Sequence, residues 1–165
     1  MKRHVGTLVG LLALAAASLG AQQSVAHYAP LEFLVGSCWT GTFPGGSIAD
    51  THCFEWMYDR KFVRDRHVVS STPKYEGETI YAWDPATKAV VFRYLSNDGL
   101  FLNGTVEQHG DSLVFPSQYP DDKGHQTEVR SVWIRQGQSA YRAMQFQRDG
   151  GVWKPALDVV YRRTP

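Results

Sequence analysis

Two histidines and one aspartate carry most of the chemistry this sequence can offer. His52, Asp65 and His67 lie in stretches rich in Val, Thr and aromatic residues, where the side chains of a strand alternate between two faces. If all three share an interior face, each must be paired or must bind something, because burying titratable groups alone is costly. Three readings fit these residue types. Asp65 orients one imidazole in a self-satisfied network. The cluster gives polar contacts to a small organic ligand. Or His52 and His67, on adjacent strands, converge on a metal ion or a haem iron. The two cysteines, Cys38 and Cys53, are too few for a disulfide scaffold or a Cys-only zinc site.

Other familiar chemistries are missing. There is no G-x-S-x-G elbow, no phosphate-binding G-K-S/T loop and no H-E-x-x-H. Glu76 and Glu78 read as a solvated strand face rather than a glycosidase pair. Asn103-Gly104-Thr105 is a glycosylation sequon, meaningful only in a eukaryotic secretory pathway. Tyr141, Gln145 and Gln147 alternate on one strand, so some of them face an interior. No residue is assigned a catalytic role, and a binding protein is expected rather than an enzyme.

The elements that must position these groups are strands. After Gly36 no long stretch has helical periodicity. Ten short stretches rich in β-formers follow, at 38–43, 48–58, 61–71, 76–84, 88–95, 99–107, 111–116, 127–136, 139–148 and 152–163. Gly, Pro, Asn and Asp separate them at hairpin-length intervals. The expectation is an all-β chain: a roughly ten-stranded antiparallel meander closed into a barrel, which removes exposed edges, with a β-sandwich as the alternative. Pro30 to Gly36 reads as a short helical turn ending at glycine.

Hairpin arithmetic gives a register. A turn over Pro44-Gly45-Gly46-Ser47 sets Cys38 opposite Cys53, and a structural disulfide between them is expected. A turn at Asp59-Arg60 sets His52 opposite His67, Phe54 opposite Asp65 and Trp56 opposite Val63. It also places Glu55 opposite Arg64 on the other face. Trp39, Gly41, Phe43, His52, Phe54, Trp56 and Tyr58 then share one face, and their aromatic character makes it the interior.

Composition sets the outer limits. Seventeen Lys+Arg against 16 Asp+Glu leave a net charge of +1, which argues against a nucleic-acid binder that works through a basic field. Lys2-Arg3-His4, the apolar run Val5–Leu19 and the small residues that follow read as a secretory signal peptide. It spans 1–21, with cleavage as late as Ala26, and the run is short of the roughly 20 residues a spanning helix needs. One domain, 27–165, remains. It is expected to be secreted or periplasmic, with no membrane span in the mature form.

The stretch Leu31-Glu32-Phe33-Leu34-Val35-Gly36-Ser37-Cys38-Trp39-Thr40-Gly41 resembles the opening of calycin or lipocalin-like small barrels. These include the nitrobindin-like haem proteins and related bacterial secreted families of unknown function. Glu78-Thr79-Ile80-Tyr81-Ala82-Trp83-Asp84-Pro85-Ala86-Thr87 and Trp153-Lys154-Pro155 with Tyr161-Arg162-Arg163 look like them too. The resemblance implies a barrel plugged by the short helix, with Trp39 packed under Arg162 or Arg163. It also brings haem in as the one cofactor to consider. However, the haem-binding members carry a late-strand histidine, and here no His follows His125. The function expected is binding of a small, largely apolar or aromatic ligand. Trp39, Phe54 and Trp56 would give apolar contact, and His52, Asp65 and His67 would orient the ligand. The rivals are a barrel filled by its own side chains, with a structural or interaction role, and a haem or metal barrel using His52 or His67.

Overall fold

The computed structural model describes residues 26–120 and 124–164. The signal segment expected over 1–21 lies outside the described residues. Ten strands follow one 3-10 turn at Ala29–Leu31. They are β1 (Ser37–Thr42), β2 (Ala49–Met57), β3 (Phe62–Val69), β4 (Tyr75–Asp84), β5 (Ala89–Ser96), β6 (Phe101–His109), β7 (Ser112–Pro120), β8 (Gln126–Gln136), β9 (Ala140–Asp149) and β10 (Val152–Thr164). Every neighbour pair is antiparallel, and β10 returns to β1, so the sheet is a closed barrel with no free edge. No described helix is long and apolar enough to cross a membrane.

The expected registers are met residue for residue. Cys38 faces Cys53 and Trp39 faces His52. His52 faces His67, Phe54 faces Asp65, Glu55 faces Arg64 and Trp56 faces Val63. Gly45 and Gly46, both at positive φ, turn the chain between β1 and β2. The Cys38–Cys53 disulfide ties the two strands together. Glu55 and Arg64 form an ion pair outside the barrel.

Two expectations need correction. Tyr58 does not continue the interior face. Tyr58, Asp59 and Arg60 all take positive φ, so alternation stops at Met57 and Tyr58 is 72% exposed. β7 runs on to Pro120 rather than stopping at 116. Pro116 lacks an N–H and is tolerated because the β6–β7 ladder has no pairs between Gly104–Ser117 and Glu107–Val114. Pro155, likewise inside a strand, sits where the β9–β10 register shifts by one residue.

One end of the barrel is plugged. Tyr28, Leu31 and Leu34 of the N-terminal turns are buried. The Tyr28 hydroxyl donates to the Lys61 carbonyl at 2.6 Å and accepts from the Trp83 N–H at 2.8 Å, so the plug is pinned to the β2–β3 turn and the end of β4. Trp39 Nε1 donates to the Leu34 carbonyl at 3.0 Å. The Arg163 guanidinium lies 4.9 Å from the Trp39 ring centre and also donates to the Phe33 carbonyl. Of the two arginines expected there, Arg163 is the one that stacks.

The disulfide closes a loop of sequence separation 15, which is worth about 3 kcal/mol in the chain-entropy model. Replacing both cysteines by alanine should lower the unfolding free energy in urea by about that amount. An unchanged urea midpoint would mean the barrel alone fixes the β1–β2 hairpin.

Candidate functional site

Opposite the plug, the β1–β2, β3–β4 and β5–β6 loops ring a cavity of about 520 Å³. Its walls are largely apolar and aromatic, with Tyr81, Phe92, Phe115, Trp133, Met144 and Leu157 among them. One side is different. Asp50 and His52 of β2, Asp65 and His67 of β3, Tyr75 of β4 and Tyr94 of β5 line it together.

These groups form one continuous hydrogen-bonded chain. Asp65 Oδ2 is 2.8 Å from His52 Nδ1, and His52 Nε2 is 2.9 Å from Asp50 Oδ2. Asp50 Oδ1 is 3.1 Å from His67 Nδ1, and His67 Nε2 is 2.9 Å from the Tyr94 hydroxyl. The Tyr94 and Tyr75 hydroxyls are 2.5 Å apart. From β10, the Tyr161 hydroxyl donates to Asp50 Oδ2 at 2.8 Å. The two imidazoles stack with centres 4.7 Å apart.

Charge follows from who can donate. A carboxylate only accepts, so His52, held between two carboxylates, carries hydrogen on both nitrogens and is an imidazolium. Burial alone would lower its pKa, but the charges and hydrogen bonds of Asp65 and Asp50 outweigh that and raise it to about 10. Asp50 is pushed up by burial and pulled further down by the hydrogen bonds and charges of His52 and His67. It rests well below the usual carboxylate range. Burial pushes the Tyr94 and Tyr161 hydroxyls up.

Gly77 makes the arrangement possible. A β-carbon there would lie 2.5 Å from the Tyr94 hydroxyl and 2.7 Å from His67 Nε2. A bare backbone on β4 therefore lets β3 and β5 bring these two groups together across it.

The structure thus gathers His52, Asp65 and His67 of the expected site. Trp39, Phe54 and Trp56 share the inward face but lie at the plug end: Trp39 packs edge-on against Phe33 and Tyr141, and Trp56 against Tyr28. Cavity-lining positions do not include these three. Asp50, Tyr75, Tyr94 and Tyr161 are site groups the sequence reading did not single out. Asp50 had a signal, since it lies two residues before His52 and shares its face.

Asp50, His52 and His67 also offer three potential metal-ligand atoms within 4.8 Å of one another. Those atoms are turned on each other. A metal needs a free imidazole lone pair, and His52 has both nitrogens engaged by carboxylates. On β10, Leu157 and Tyr161 line the cavity, and Tyr161 is tied to Asp50.

The cluster makes stability depend on pH in a set direction. His52 binds its proton more tightly in the folded state, so its contribution is whole below the ordinary imidazole value of 6.5 and is lost as pH rises through about 10. Asp50 is depressed, so its contribution is whole above 3.8 and is lost as pH falls below that. Urea midpoints of the wild type should therefore fall from pH 6.5 toward 10, and His52→Asn should lack that part of the slope. Parallel slopes for the two proteins would refute the assignment. No protein-family model and none of the curated proteins matches the chain, so the site's role rests on its own geometry.

Proposed function

We propose that this barrel binds a small, largely apolar or aromatic molecule in its open half, oriented by the polar wall of His52, Asp65, His67 and their partners. The observation that carries the reading is the cavity itself. A pocket of about 520 Å³, largely apolar and aromatic with convergent polar groups on one side, has the size and character of a small-molecule site. A barrel filled by its own side chains would have no such space. The Cys38–Cys53 disulfide supports a secreted or periplasmic setting, where such bonds persist.

A neutral apolar probe, N-phenyl-1-naphthylamine, should bind at one saturable site and change the emission of Trp133, which lines the cavity. Ser131→Trp, on the β8 wall, should fill the space and weaken binding at least tenfold. No saturable binding to the wild type, or equal binding to the filled variant, would overturn the reading.

A further inference from the structure

The polar wall is ordered by charge. Asp65, His52 and Asp50 alternate as anion, cation and anion, and His67 is next in line, with its Nδ1 hydrogen on Asp50. In its neutral form His67 accepts at Nε2 from the Tyr94 hydroxyl, and Tyr94 in turn accepts from Tyr75. Both hydroxyl hydrogens are then spent inside the chain. The last group of the chain is then an acceptor, the Tyr75 oxygen, and Tyr75 lines the cavity beside aromatic walls. Such an end takes a hydroxyl from its ligand. One further negative charge would complete the alternation once His67 became a cation.

We infer that the preferred ligand is a phenol, bound as its phenolate, with the proton passed through Tyr75 and Tyr94 to His67. This rests on the cavity being a ligand site and names the class of ligand. Three bonds to hydrogen break and three form. The phenol O–H proton goes to the Tyr75 oxygen, the Tyr75 proton to Tyr94 and the Tyr94 proton to His67 Nε2. Both tyrosines end neutral, with their hydrogen bonds reversed. Tyr75 then donates to the phenolate oxygen, and the new imidazolium faces Asp50, which Tyr161 and His52 hold as a carboxylate. An aliphatic alcohol is too weak an acid for this transfer, and Tyr81, Phe92, Phe115 and Trp133 offer an aromatic body its stacking surface.

The test uses 4-nitrophenol, whose phenolate absorbs in the visible while the neutral phenol does not, titrated into the protein between about pH 5 and 9. The bound probe should ionise at least one pH unit below the free phenol, equivalent to about tenfold tighter binding of the phenolate. His67→Gln and Tyr94→Phe should abolish that shift. Tyr94→Phe keeps the ring that packs there, so it decides the matter if His67→Gln misfolds. The inference is overturned if bound nitrophenol keeps its free ionisation, if Tyr94→Phe ionises it as the wild type does, or if nitrophenol fails to bind where N-phenyl-1-naphthylamine binds. Failure of both probes would instead remove the ligand site itself.

Discussion

Everything inside this barrel depends on the register of its first two hairpins. Strand side chains alternate with a period of two, so a slip of one residue exchanges the faces. With Cys38 opposite Cys53 and His52 opposite His67, the outer face of β2 and β3 receives Glu55, Arg64 and Arg66, and the inner face receives Asp50, His52, Asp65 and His67. A slip would put the ion pairs inside and the histidines in water. The disulfide sits on the outer side of the same hairpin and opposes that slip covalently. Closure by β10 adds a second constraint, because Arg163 must reach Trp39 and the Phe33 carbonyl from the last strand.

Charges held in a low-dielectric interior survive only as a matched set. Here the match is serial rather than pairwise. Asp50 takes hydrogen bonds from His52, His67 and Tyr161, supplied by three different strands. No two adjacent strands could satisfy it alone. That arrangement makes the carboxylate a node of the closed sheet, since opening the barrel between β10 and β1 would remove Tyr161 from its position. It also explains why two stacked imidazoles are tolerated at 4.7 Å, because the carboxylate they share sits against both.

Much of this was legible because turns count residues. Gly45-Gly46 and Asp59-Arg60 each mark the centre of a hairpin, and from those centres the pairings around Cys38, His52 and Asp65 follow by arithmetic. What the pattern could not give was height along the barrel axis. Trp39, Phe54 and Trp56 share a face with His52, yet the first packs under the plug, the last meets Tyr28, and the cavity begins beyond them. Alternation reports in or out, and only the plug's contacts decide which half is filled. Tyr94 and Tyr161 were hidden for a different reason: their place in the cluster depends on pairings accumulated across β4, β5, β9 and β10. Gly77 shows the same limit. In sequence it is a weak spot in a strand, and in the fold it is the gap through which His67 and Tyr94 meet.

The barrel is filled in one half and open in the other, and the polar chain crosses that boundary. Tyr141 stacks on Tyr161 and packs against Trp133, which packs on Phe115, so aromatic rings make the floor of the cavity. Above them the inward positions turn small: Thr79, Ser117, Ser131 and Ala143 leave space that ten strands are wide enough to enclose. Asp65 is 2% exposed, whereas Tyr75, at the start of β4, is half-buried beside the loops that ring the opening. Electrostatic interactions strengthen where water is excluded. The charged end of the chain therefore lies where its field is strongest, and the hydroxyl end lies beside the opening of the cavity. The two are joined by hydrogen bonds, so the hydroxyls beside the opening and the buried carboxylates belong to one network.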